Sequence, residues 1–191
     1  MKKVQLGNTD LMVTPIGFGV LTVGNTQLNL PIEEGAAVLR YALDRGINFL
    51  DTAQYYETYP YIREALKGTD FKPIIASKCL DYTYSEMEYA IDEALRELDL
   101  EVIDIFLMHE VRHGQLEERA GAWEALKDAK EKGLVRAIGL STHHVDITEA
   151  AASISELDVI FPLINYASLG IRKGDDFATK DEMMAAIQKC H

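Results

Sequence analysis

The residues able to do chemistry in this chain fall where apolar runs end. Asp51 follows Ile47 to Leu50, Lys78 follows Pro73 to Ser77, His109 follows Val102 to Met108, and Ser141, Thr142, His143 and His144 follow Val135 to Leu140. Tyr55 and Tyr56 come shortly after Asp51. A carboxylate, an ammonium, an imidazole and a phenol together form a workable set for giving a proton to a carbonyl oxygen, provided a hydride arrives from elsewhere. A phenol ionises near pH ~10, and a neighbouring ammonium favours the phenolate and lowers that value. In this reading Lys78 supplies the charge, Asp51 holds Lys78 by a charge-assisted hydrogen bond, and His109 orients and polarises the carbonyl. Spacing alone does not choose between Tyr55 and Tyr56.

The elements that must position these groups follow from hydrophobic patterning. Amphipathic stretches at Glu33 to Arg45, Tyr61 to Lys67, Glu86 to Leu98, Ala120 to Lys132 and Ile147 to Ser155 alternate with apolar runs, and another helix begins near Asp181. The runs are Ile47 to Leu50, Pro73 to Ala76, Val102 to Met108, Val135 to Leu140 and Val159 to Ile164, after a short first strand at Ile16 to Gly19. Met87, Ala90, Ile91, Ala94, Leu95 and Leu98 recur at helical spacing, with Glu, Asp and Arg on the opposite face. Ser85 with Glu88, and Thr179 with Glu182, read as capping boxes. Lys3 to Leu6 and Leu11 to Val13 flank the turn-forming Gly7-Asn8-Thr9-Asp10, which predicts an N-terminal hairpin.

Near-continuous apolar strands between one-sided helices imply a parallel sheet covered on both faces, hence an α/β fold. In such folds reactive groups gather at the carboxyl ends of the strands, so these residues would converge on one mouth. Six strands are readable, whereas an eight-unit barrel takes about 250 residues. The expectation is one domain over residues 1–191 that lacks two units at its C-terminal end, with open sheet edges able to pair with another chain.

Composition narrows the function classes. Nineteen Lys and Arg against 31 Asp and Glu give a net charge of -12, which disfavours nucleic acid and anionic membranes as partners but leaves room for one phosphate in a local basic pocket. Two distant cysteines, Cys79 and Cys190, suggest neither a disulfide framework nor a thiolate cluster. With no leader-like or membrane-length apolar run, the chain reads as cytoplasmic.

Asp51-Thr52-Ala53-Gln54-Tyr55-Tyr56 resembles the aldo-keto reductase segment in which Asp-Thr-Ala precedes the catalytic tyrosine by five positions. Ser77-Lys78 is similar to that family's third-strand lysine segment, His109 to its fourth-strand histidine, and Gly139-Leu140-Ser141 to the fifth-strand segment that contacts the nicotinamide carboxamide. The resemblance implies a (β/α)8 barrel of the TIM type that reduces a small-molecule aldehyde or ketone with NADPH, NADH remaining open. It makes Tyr56 the general acid supported by Asp51, Lys78 and His109, with Ser141, Thr142 and Asn165 toward the cofactor. The chain departs from the family pattern at Glu57, where a glycine usually follows the tyrosine, at Glu110-Val111, at Thr142 in the usual Asn position, and at Pro162-Leu163 where a Gln is common. These departures are similar to a divergent branch that often carries a cysteine-rich iron-sulfur segment, of which nothing stands in this sequence.

Three other readings compete. The same fold can serve as a cofactor-binding sensor or scaffold without useful turnover, and a chain short of two units can be an inactive fragment. His109-Glu110-Val111-Arg112-His113 also fits H-E-x-x-H, a zinc-peptidase motif that needs a helix, whereas here a strand runs into it and Gly114 follows; no metal ligand set is assigned. Adjacent His143 and His144 read as one solvated and one packed residue, and Trp123 and Met183-Met184 as packing.

Overall fold

The computed structural model describes residues 1–190. A hairpin, β1 (Val4–Gln5) and β2 (Met12–Val13), precedes β3 (Phe18–Gly19) and α1 (Ile32–Asp44). The chain then alternates through β4 (Phe49–Asp51), α2 (Tyr59–Leu66), β5 (Ile74–Cys79), α3 (Tyr84–Leu98) and β6 (Ile103–Met108). A short helix α4 (Gln115–Glu118) leads into α5 (Ala120–Glu131), β7 (Val135–Thr142), α6 (Val145–Ala151) and β8 (Val159–Pro162). A second hairpin, β9 (Arg172–Lys173) with β10 (Asp176–Phe177), and α7 (Lys180–Gln188) complete the described chain. No helix among the described residues is long and apolar enough to cross a membrane.

Strands β3 to β8 form one sheet in chain order, each pair parallel, as six successive units of a (β/α)8 barrel do. Among the described residues β3 and β8 pair on one side only. Side chains alternate across this sheet with period two. One set, including Leu50, Ile75, Phe106, Ile138 and Leu140, packs against the helices. The other set, Ala76, Ile105, Leu107, Ala137 and Val159, forms the inner face, which Leu11 from the N-terminal hairpin closes from below. At Gly139 a Cβ would stand 1.7 Å from the Val159 carbonyl oxygen, so the close pairing of β7 and β8 requires glycine there.

Two local expectations differ from the structure. The capping box of α3 is Thr83 with Glu86, not Ser85 with Glu88: the Thr83 hydroxyl accepts the Glu86 N–H at 3.3 Å and the Glu86 carboxylate accepts the Thr83 N–H at 3.0 Å. Both quartets satisfy the motif, and the earlier one prevails because it places Tyr84 inside the helix, where its hydroxyl reaches Asp128 at 2.6 Å. The second hairpin went unread because Arg172-Lys173-Gly174-Asp175-Asp176 lacks apolar alternation; Gly174 turns the chain there with a φ of 57°. The Thr179 and Glu182 box forms as expected. Trp123 packs partly buried against the core, and Met183 is buried while Met184 is exposed.

Candidate active site

Alternation explains which strand-end residues meet. Asp51 lies two positions beyond Phe49, Lys78 two beyond Ala76, His109 two beyond Leu107, and Ser141 four beyond Ala137, so each continues the inner row past its apolar layers. Parallel pairing sets Asp51 opposite Ala76 and Lys78 opposite Leu107, bringing the three charged or titratable groups to one end of the sheet. Thr142, by contrast, continues the outward row of Ile138 and Leu140.

Lys78 is 4% exposed, and its Nζ donates to Asp51 Oδ1 and to the Thr52 carbonyl, both at 2.6 Å. The same ammonium lies 5.0 Å from the centroid of the Tyr56 ring. The Tyr56 hydroxyl stands 3.4 Å from His109 Nε2, with the two rings edge-on at 81°. Tyr55 is 64% exposed, and the short 3-10 turn Gln54–Tyr56 rotates Tyr55 outward and Tyr56 onto His109. Glu57 ends that turn with a φ of 54°, in the left-handed region where a glycine costs nothing, and accepts a hydrogen bond from the Asn25 amide.

The electrostatics depart from the sequence expectation. Tyr56 is pushed up to about 12 rather than down, first by burial and then by the charges of Asp51 and Glu110. Lys78 is itself shifted below its ordinary value by burial, which its bond to Asp51 opposes, so its charge is largely committed to that carboxylate. Burial, then Lys78, Arg119 and His143, press His109 down to about 3, which leaves a neutral imidazole. Its Nδ1 is buried with no partner among the described residues. An unpaired lone pair costs less than an unpaired N–H, so the ring hydrogen belongs on Nε2, toward Tyr56.

The groups expected to face a cofactor are placed differently from one another. Ser141 Oγ accepts the Glu110 N–H at 2.8 Å, which leaves its hydroxyl hydrogen uncommitted beside the mouth. That free donor fits the amide oxygen of a nicotinamide. The Thr142 hydroxyl is fully buried, donates to the Val111 carbonyl at 2.6 Å and accepts the His144 N–H at 2.9 Å. Both ends of the Asn165 amide close its own loop on Leu169, at 2.8 and 2.9 Å. His144 is buried and His143 half-buried, the split expected of adjacent histidines. His109 and Glu110 occupy a turn, Glu110 with a φ of 50°, and His113 pairs with Asp146 at 2.5 Å, so the H-E-x-x-H string never shares a helix face.

One polar residue escaped the sequence reading. Arg119, at the joint of α4 and α5, is 1% exposed and donates to three backbone carbonyls at the mouth. In sequence it follows Glu117-Glu118 and looks like part of a solvated helix face. Its burial depends on the α4–α5 turn, for which the sequence carries no clear signal.

The chain is 28% identical to L-galactose dehydrogenase of Arabidopsis thaliana over 90% of its own length, and 30% identical to 6-dehydroglucose reductase of Novosphingobium aromaticivorans over 74%. It spans 59% and 52% of those two proteins. The holo form of aldo-keto reductase AKR11C1 from Bacillus halodurans superimposes with a TM-score of 0.73 at 26% identity, covering 85% of this chain and 57% of that one. The Aldo/keto reductase family profile matches residues 15–186, and this chain belongs to that family.

Proposed function

We propose that this chain carries the proton-donating side of a nicotinamide-dependent carbonyl reduction, with NADPH as the cofactor and an aldehyde or ketone as substrate. The observation that carries the reading is the Tyr56 hydroxyl set beside the Nε2 of a neutral His109, with the Lys78–Asp51 pair under the Tyr56 ring. A nicotinamide cofactor, when bound, supplies the hydride. Tyr56, held as a protonated phenol, gives its proton to the carbonyl oxygen as negative charge develops there. His109 donates a hydrogen bond from Nε2 to the same oxygen, polarising it without competing for the proton. Lys78 sits where it stabilises the phenolate left behind, and Asp51 keeps it in place.

On the cofactor side, the free hydroxyl hydrogen of Ser141 is the donor for the nicotinamide amide. Thr142 acts one step back by fixing Val111 and His144, and Asn165 by closing the loop after β8. The names of two relatives, a dehydrogenase and a reductase of sugars, support a small polyhydroxylated carbonyl as the substrate class. The test is to incubate the chain with NADPH and a panel of aldehydes, ketoses and aldoses while following nicotinamide absorbance. Carbonyl-dependent loss of absorbance is the expected result. Saturable NADPH binding with no turnover on any carbonyl would replace this reading with that of a cofactor-binding scaffold.

A further inference from the structure

A buried guanidinium is costly to desolvate, and proteins usually give it a carboxylate partner. Arg119 has none among the ion pairs of the described residues, although it is 1% exposed. Its Nη1 donates to the His109 carbonyl at 2.8 Å, its Nη2 to the Cys79 carbonyl at 3.1 Å, and its Nε to the Asp81 carbonyl at 3.0 Å. The Tyr82 ring lies 5.2 Å from the guanidinium carbon and covers it. The His109 and Asp81 carbonyls lie past the ends of β6 and β5 and take no backbone donor among the described residues, while the Cys79 carbonyl, the last of β5, accepts from Arg119 a second hydrogen bond beside its backbone one. Only a guanidinium presents enough donors in one fixed plane to reach all three.

We propose that Arg119 is a positioning residue for the carbonyl-reducing site, an assignment that rests on the function proposed above: by tying the backbone of His109 to the ends of the neighbouring strand and loop, it fixes where the imidazole stands against Tyr56. The β5–β6 register contributes a second tie, since the His109 N–H donates to the same Cys79 carbonyl at 2.7 Å. The charge of Arg119 has a further effect. His109 is faced by Lys78 from β5, by Arg119 from the α4–α5 joint, by His143 from the loop after β7 and by Tyr56 from the turn after β4. Burial first, and then the two fixed cations, keep the ring neutral, which is the form that donates from Nε2 without trapping the proton meant for substrate.

The test compares the parent chain with Arg119→Met and Arg119→Lys by ring-nitrogen NMR titration of His109 and by hydrogen exchange of its backbone N–H. Arg119→Met removes the charge and the three bonds, so His109 should take up its proton at a higher pH than in the parent, and its amide should exchange faster. Arg119→Lys keeps the charge but not the three-way fan: the low titration should persist while the amide exchanges faster and kcat falls on the order of 10- to 100-fold with KM little changed. A folded Arg119→Met protein whose His109 titrates and exchanges as in the parent would overturn the proposal. Should that variant fail to fold, Arg119→Lys decides, since unchanged exchange at His109 would overturn the proposal as well. A parent chain that turns over no carbonyl would count against the function reading alone, because both NMR measurements are read without substrate.

Discussion

The ends of β4, β5 and β6 and the ends of β7 and β8 hold similar numbers of polar residues but use them in opposite ways. On the first side, polar side chains meet one another: Lys78 meets Asp51, and Tyr56 meets His109. On the second, Thr142 and Asn165 spend their groups on nearby backbone, and Ser141 keeps one donor free. The difference follows from strand parity and from place along the chain. Asp51, Lys78 and His109 continue inner rows, whereas Thr142 faces outward and Asn165 lies past the end of β8. Asp51, Lys78, Tyr56 and His109 pair across strands at the shared mouth, whereas Thr142 and Asn165, which face the helix layer or a loop, satisfy the chain's own backbone.

That contrast can be broken by mutation. Of three changes that probe it, Lys78→Met should have the largest effect, lowering the rate of carbonyl reduction by about 100-fold while leaving NADPH binding intact. Steady-state kinetics beside a cofactor titration measures both, and a loss confined to binding would place Lys78 on the cofactor side. Thr142→Val should do the reverse. It leaves the Val111 carbonyl and the His144 N–H without their buried partner and should cost about 1–3 kcal/mol in urea unfolding with the chemical step nearly unchanged. Glu57→Gly should have the smallest effect, a gain of about 0.5 kcal/mol, because relief of left-handed strain outweighs the glycine's greater unfolded freedom and the lost Asn25 bond. A loss of stability on that change would mean that the Asn25 contact, rather than the backbone, decides the turn.

Much of this architecture was legible in the sequence. The helices and strands follow hydrophobic period, and the strand-end rule groups Asp51, Lys78 and His109 from the sequence alone. Parity could have been pushed further: Ser141 and Thr142 are adjacent, so only one of them can face the mouth, and the position of Ala137 says which. What stayed hidden were facts set by tertiary burial. The direction in which Tyr56 shifts depends on the depth of the phenol and then on the charges of Asp51 and Glu110 around it, none of which spacing encodes. Arg119 was invisible for the same reason, since its partners are backbone oxygens, which have no residue type to recognise.

The central claim is that the first side holds a protonated phenol whose proton goes to the substrate. It is tested most directly by comparing hydride transfer from NADPH to a carbonyl in the parent chain and in Tyr56→Phe. The account predicts a loss of at least about 100-fold in the chemical step, with cofactor affinity unchanged because no cofactor contact is assigned to that hydroxyl. Turnover by Tyr56→Phe at the parent's rate would show that another group delivers the proton, and would contradict it.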